Sequence, residues 1–313
     1  MPPWKVLITD SLEDAGKAIL ADRAEVDDRP GLPAEELLNI ISGYDALIVR
    51  GRTRVTREVI EAGKNLKLVG RAGVGVDNID LAAAAAQSVK VVNSPIATTN
   101  AVAEHTLALI LAMVRQIPRA DTLLKAGQWA KKELIGAELS GKTLGLLGLG
   151  RIGSSVGRLA AAFGMRVIAF DPPLSPQEVA ARGAQPVTLD ELYAGSDVIS
   201  IHSPLTPETR NMVNGEALAR MKRGVFIVCA ARGGIIDETA LLARLESGQV
   251  AGAALDVFAT EPPGLSALVA HPHVVATPHI AAQTAEAQER AAVDIATEII
   301  AGLKGEPLRW QVV

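Results

Sequence analysis

What the chain has little of already narrows its chemistry. One cysteine, Cys229, in 313 residues excludes an internal disulfide, and the apolar run Val225 to Val228 ahead of it marks a buried thiol more than a nucleophile. An excess of positive charge is also missing: 31 Lys and Arg against 35 Asp and Glu give a net charge of -4, with no basic arm, so nothing favours a nucleic acid or an anionic membrane as partner. No apolar stretch is long enough to span a bilayer. The start, Met1-Pro2-Pro3-Trp4-Lys5, runs into a strand without the apolar core of a signal peptide. A cytoplasmic location is expected, and the length predicts two domains with a cleft.

Short β-branched runs alternate with helical segments, the pattern of an α/β fold with parallel sheets flanked by helices. Two such series are present. The first takes in expected strands at Lys5 to Thr9, Ala46 to Arg50, Lys67 to Gly70 and Lys90 to Val92, with helices such as Ala34 to Ile41 between them. The second begins at Thr143 and continues through Val167 to Phe170, Val198 to Ile201, Phe226 to Val228, Ala253 to Val257 and Val274 to Ala276. Each is long enough for its own core. Between them, Thr99 to Lys125 has almost no polar face before Pro118 interrupts it. Burial between the domains or in a subunit interface would both account for such a helix, and a homodimer is favoured. Ala285 to Leu303 reads as a long closing helix that could cross back to the first series.

The segment Gly145-Leu146-Leu147-Gly148-Leu149-Gly150-Arg151-Ile152-Gly153 joins a strand, from Lys142, to a helix expected over Ser154 to Phe163. Gly148 permits the tight turn, Gly150 lets backbone approach a pyrophosphate, and Gly153 lets helix pack on strand, leaving free amides for the anion. The motif alone is weak. Its setting strengthens it, because the strand Arg166 to Phe170 ends at Asp171, 23 positions after Gly148, close to the spacing of roughly 20 at which a carboxylate grips the adenosine ribose. A carboxylate there repels a 2'-phosphate, and Pro172 and Pro173 follow instead of an arginine. The expected cofactor is NAD, not NADP.

Ligands of doubly wound sheets lie at the C-terminal ends of strands, and three candidates for chemistry stand there. Arg232 lies in Ala230-Ala231-Arg232-Gly233-Gly234, Glu261 follows Leu255-Asp256-Val257-Phe258, and His279 follows Val274-Val275-Ala276-Thr277-Pro278. Oxidation of a secondary alcohol needs a base for the hydroxyl proton, which an imidazole suits. A carboxylate on the other ring nitrogen would fix its tautomer, and an arginine would grip a substrate carboxylate. Blander roles compete. His279 could be structural, Glu261 a solvated loop residue and Arg232 a local partner of Asp237. Of the other histidines, His105 sits inside the apolar helix, His271 and His273 flank Pro272 in a surface turn, and His202 ends a strand where it could touch cofactor. Spacing alone leaves the triad open, and no metal-ligand set is among the candidates.

These residues carry a resemblance. Nearly the whole chain is similar to the D-isomer-specific 2-hydroxyacid dehydrogenases, through Val69-Gly70-Arg71-Ala72-Gly73-Val74-Gly75-Val76-Asp77-Asn78-Ile79-Asp80, the glycine motif, Ala231-Arg232-Gly233-Gly234, Ala254-Leu255-Asp256-Val257-Phe258, Glu261-Pro262-Pro263 and Thr277-Pro278-His279-Ile280. The resemblance implies two doubly wound domains: a Rossmann NAD domain over 98–284 inserted into a flavodoxin-like substrate domain of 1–97 plus 285–313. It implies that Arg232 binds and polarises substrate, His279 is the acid and base, and Glu261 supports it. Arg151 and Ile152 are then expected at the pyrophosphate, with Val74, Ser203, Pro204, Ala230, Asp256 and the turn from His279 through Ala281 to Ala282 along the cofactor. The amides of Val74 and Gly75 would hold the substrate carboxylate.

Among family substrates, a phosphorylated acid calls for several cations, and Arg50, Arg52, Arg54 and Arg71 lie at or near first-series strand ends. Arg50 and Arg71 match positions that the resemblance associates with phosphate; a solvated basic rim is the plainer alternative. Lys131 and Lys132 could add charge from a neighbouring subunit. The expectation is reversible oxidation of 3-phospho-D-glycerate to 3-phosphohydroxypyruvate, in serine biosynthesis, with the proton going to His279. Two departures keep other acids open: Cys229 stands where the family usually has asparagine, and Ile96-Ala97-Thr98-Thr99-Asn100 replaces a segment typically containing glycine and asparagine. The runners-up are a reductase of hydroxypyruvate, glyoxylate or a broader range of D-2-hydroxyacids, and, from another class, an NAD-sensing corepressor that binds peptides. With the sequence stopping shortly after Leu308-Arg309-Trp310, feedback by serine through a C-terminal domain is not expected.

Overall fold

The apolar runs form two wholly parallel sheets. The computed structural model describes residues 4–313, so Met1 to Pro3 of the expected leaderless start lie outside the described residues. Five strands, β1 (Trp4–Ile8), β2 (Ala24–Asp28), β3 (Ala46–Val49), β4 (Leu68–Arg71) and β5 (Lys90–Asn93), are ordered β2-β1-β3-β4-β5. Seven more make the second sheet: β6 (Thr143–Leu147), β7 (Arg166–Phe170), β8 (Gln185–Pro186), β9 (Val198–Ile201), β10 (Val225–Cys229), β11 (Val250–Leu255) and β12 (Val274–Ala276). Their order is β12-β11-β10-β9-β6-β7-β8. Every residue of β3 and β9 is buried, which is why Ala-Leu-Ile-Val and Val-Ile-Ser-Ile show no alternation: helices cover both faces.

The chain divides into two compact units, Met1–Thr99 with Ala282–Val313, and Asn100–Ala281. In the first, the helix Ala285–Leu303 lies on the five-stranded sheet, with Ile295 and Ile299 fully buried; each contributes about 2 kcal/mol by leaving water. Among the described residues no helix is long and apolar enough to cross a membrane.

Several local expectations need correction. β2 has the sequence Ala-Glu-Val-Asp-Asp and was not foreseen, because an edge strand needs only one protected side and tolerates acidic residues. The two-residue β8 contains Pro186, which an edge can accommodate. Pro118 does not interrupt the long apolar helix. That helix spans Thr99–Val114, the chain turns at Gln116 with φ 54°, and Pro118 occupies the second position of the next helix, Ile117–Lys125, where a missing N–H costs nothing. β4 reaches Arg71, and β11 ends at Leu255, so Asp256 and Val257 have already left the sheet.

Strand order places the ligand-binding crevices. Successive crossovers diverge between β1 and β3 in the first sheet and between β6 and β9 in the second, opening a space beyond the strand ends at each point.

Candidate active site

In the second unit the glycine turn leaves β6 beside the exit of β9. Gly148 has φ 92°, in the left-handed region, and a Cβ there would come 2.9 Å from the carbonyl carbon of His202 and the nitrogen of Ser203. A side chain at Gly153 would overlap the Gly148 carbonyl, so helix and turn touch only because both lack one. Above Gly150 there is open space. The helix begins at Arg151, earlier than expected, with Gly150 as an N-cap that no side chain satisfies; its first-turn amides suit an anion. Asp171 follows β7 and accepts a 2.6 Å hydrogen bond from the Leu149 amide, which pins one carboxylate oxygen to the turn. A dinucleotide fits this arrangement.

Three neighbours stiffen the turn. The His202 amide donates to the Leu147 carbonyl at 2.7 Å, as does the Ser203 hydroxyl at 3.1 Å. The His202 ring is partly buried, meeting the Ser200 hydroxyl at 2.8 Å, and desolvation pushes its pKa down to about 4, so it is a neutral imidazole in ordinary conditions. Arg182, which sequence reasoning passed over, donates to the Leu149 carbonyl at 2.6 Å.

Chain exits from β10, β11 and β12 carry the expected triad. Arg232 follows β10 and Ala230, partly buried, with Nη1 donating to the Ala231 carbonyl at 2.6 Å. Cys229 is buried, its thiol pushed up to about 11 by burial, and it donates weakly to the Arg232 carbonyl at 3.6 Å. Glu261 Oε1 accepts from the Phe258 amide at 3.1 Å, leaving Oε2 to meet His279 Nδ1 at 2.8 Å. The structure therefore joins two candidates that lie 18 positions apart. Glu261 and His279 are 38% and 49% exposed, so the pair is open to solvent and ligand. With Nδ1–H bound to the carboxylate, Nε2 is the nitrogen left for proton exchange.

His279 has φ 54°, an unusual conformation for a residue with a side chain, costing about 1–3 kcal/mol unless its surroundings enforce it. Asp256 does so. Its carbonyl accepts from the His279 amide at 2.8 Å, while its fully buried carboxylate accepts from the amides of Ile280 and Ala281, each at 2.9 Å, and from the Thr277 hydroxyl at 2.6 Å. Asp256, expected along the cofactor, lies under the turn that carries His279. Burial raises its pKa, but hydrogen bonds from His105, Thr277 and the two amides outweigh that and leave it below its ordinary value. His105, from the helix Thr99–Val114, approaches Thr277 Oγ1 at 3.2 Å and Asp256 Oδ1 at 3.5 Å. A histidine in a helix with so few polar side chains was the signal that could have singled it out.

In the first unit the expected arginines Arg50 and Arg71 lie at strand ends. Arg50 follows β3, and Arg71 ends β4 in register with Val49. Asp10, just after β1 and 6% exposed, organises the loop: it accepts from the Arg50 amide at 2.7 Å, the Thr53 amide at 3.2 Å and the Thr53 hydroxyl at 2.7 Å. Arg52 is committed there, to Asp10 at 3.3 Å and the Thr9 carbonyl at 2.9 Å. Burial lowers the pKa of Arg50 from its ordinary value. The turn bearing Val74 and Gly75 is tied to the end of β5, where Asn93 donates to the Val74 carbonyl at 2.6 Å and the Ser94 amide to Gly73 at 2.9 Å. Asp10 and Asn93 escaped sequence reasoning because neither belongs to a motif. Lys131 and Lys132 form a short exposed turn with Glu133 in the second unit.

Comparison with known proteins agrees with this geometry. Residues 107–281 match the NAD binding domain of the D-isomer specific 2-hydroxyacid dehydrogenases. The chain belongs to that family. The matched segment contains the glycine turn and Asp171, and similarity covers nearly the whole length: a D-3-phosphoglycerate dehydrogenase from Synechocystis is 48% identical over 308 residues, 98% of this chain. The chain spans 56% of that relative's length. Among solved structures, a glyoxylate reductase from Paecilomyes thermophila superposes with a TM-score of 0.92 at 36% identity, covering 100% of this chain and 99% of the other. A D-lactate dehydrogenase from Aquifex aeolicus, complexed with NAD and lactic acid, gives 0.84 at 31%, covering 96% of each.

Proposed function

We propose that this chain oxidises 3-phospho-D-glycerate at its 2-hydroxyl to 3-phosphohydroxypyruvate, an NAD-dependent step in serine biosynthesis. The pairing of His279 Nδ1 with Glu261 at 2.8 Å carries the reading, because it holds an imidazole with Nε2 available as a base at the end of the NAD domain. NAD, when bound on the Gly148–Gly153 turn and Asp171, supplies a nicotinamide that accepts the hydride leaving C2. His279 Nε2 takes the hydroxyl proton, and Glu261 stabilises the imidazolium that results. Arg232 grips the carboxylate and polarises the oxygen on C2, and the amides of Val74 and Gly75 hold the same carboxylate. Arg50 and Arg71 take the phosphate. The first unit then serves as substrate domain and the second as cofactor domain. The Synechocystis relative's name and the two arginines favour phosphoglycerate; the glyoxylate reductase among the structural neighbours keeps reduction of a small 2-oxoacid as the second reading.

A cytoplasmic homodimer accompanies this proposal. Its support is a single buried cysteine and a set of exposed apolar side chains along 117–135: Ile117, Leu124, Trp129 and Ile135. Replacing His279 by alanine is expected to lower turnover about 10²- to 10⁴-fold with NAD affinity kept. Near-normal turnover in that variant would contradict the assignment.

A further inference from the structure

We propose that His105 is a positioning residue for the catalytic turn, acting on His279 through Thr277 and Asp256. The inference rests on the reading of His279 as the acid–base group. Proton accounting gives His105 its role. The Thr277 hydroxyl donates to Asp256 Oδ1 at 2.6 Å, so its hydrogen is committed and only its lone pairs face His105. His105 Nε2, 3.2 Å away, must then carry a hydrogen and donate. A directed chain follows, from His105 Nε2–H to Thr277 Oγ1–H to the Asp256 carboxylate, which also accepts the Ile280 and Ala281 amides while the Asp256 carbonyl holds the amide of His279.

This chain links a rigid element to a strained one. His105 projects from the 16-residue helix Thr99–Val114, whose Ala103, Leu107, Ile110 and Met113 are buried in the core of the second unit. His279 sits at φ 54° and keeps that conformation only while its neighbours enforce it. The Asp256 carboxylate is fully buried, so a donor lost from its network is not replaced by bulk water. Removing His105 relaxes the turn and misplaces the imidazole with no loss of any group that touches substrate, and such misplacement is costly to rate.

Two substitutions at His105 separate positioning from mere packing. His105→Leu keeps bulk and removes the donor; His105→Gln restores a side-chain N–H. With 3-phospho-D-glycerate and NAD, the expectation is that His105→Leu loses about 10- to 100-fold in kcat with KM for both ligands little changed, and that His105→Gln recovers most of the loss. Added to His279→Ala, His105→Leu should lower turnover no further, because its route runs through His279. Wild-type turnover in His105→Leu, an equal loss in His105→Gln, or a further loss in the double variant would each overturn the proposal. Thermal melting of both variants identifies a folding defect; the glutamine variant, recovering the fold but not kcat, would also count against it. An active His279→Ala enzyme overturns the acid–base reading itself, whereas an inactive one beside an active His105→Leu enzyme overturns only this inference.

Discussion

Glu261→Gln isolates what the carboxylate does for His279. The substitution preserves shape and one oxygen, which can still accept from the Phe258 amide as Glu261 Oε1 does at 3.1 Å. The group facing Nδ1 then becomes an NH2, a donor opposite a donor. The imidazole escapes by moving its proton to Nε2, the atom needed as base, and the imidazolium formed in the reaction loses its counter-charge. A hydrogen bond to a charged group is worth about 1.5–3 kcal/mol. Because the two side chains are 38% and 49% exposed, solvent screening places this one in the lower half of that range, about 1.5–2 kcal/mol, or roughly 10- to 30-fold in kcat. Steady-state NADH formation gives kcat, and calorimetric titration gives NAD affinity, which should stay within about twofold. The melting temperature should move by no more than about 3 °C, since an exposed pair contributes at most about 1 kcal/mol to stability. Unchanged kcat would refute the reasoning, as would a loss explained entirely by a smaller folded fraction.

Two further outcomes test the cofactor end. Asp171→Ala should raise the KM for NAD by about 10- to 100-fold and narrow its preference over NADP, because it removes both a ribose acceptor and the charge that repels a 2'-phosphate; kcat/KM for the two cofactors measures this, and an unchanged ratio contradicts it. The desolvation of His202 predicts a pH effect on stability. Its folded pKa is depressed to about 4 from 6.5, so between those values the unfolded chain binds a proton that the folded chain refuses, and stability falls as pH drops from 6.5 towards 4. His202→Gln removes that contribution, so the difference in urea-unfolding free energy between pH 7.5 and pH 4.5 should shrink by on the order of 2–3 kcal/mol.

Much of this architecture is legible in the chain because buried parallel strands cannot alternate. Val198–Ile201, Arg166–Phe170 and Val274–Ala276 lie where their apolar runs place them, and the closing helix Ala285–Leu303 matches its periodicity. β2 could not be read, since its acidic residues are tolerated only by its place at an edge. The break at Gln116 depends on a left-handed residue that is neither Gly nor Asn, so no turn signal announced it. At the site, the residues proposed to touch ligands sit in motifs with characteristic spacing and were singled out from the sequence. Those that hold the motifs in place were not: Asp10, Asn93 and His105 acquire their roles from neighbours 43, 19 and 172 positions away, where sequence periodicity carries no information.

The proposed substrate is a phosphorylated 2-hydroxyacid, held through Arg71 and oxidised through His279. The direct test is the ratio of kcat/KM for 3-phospho-D-glycerate to that for D-glycerate, with D-lactate alongside, in the native chain and in Arg71→Ala. A ratio well above one that falls about 10-fold or more in Arg71→Ala, with D-glycerate oxidation unaffected, is the predicted result. A preference for the unphosphorylated acids, or a phosphoglycerate preference indifferent to Arg71, would contradict it.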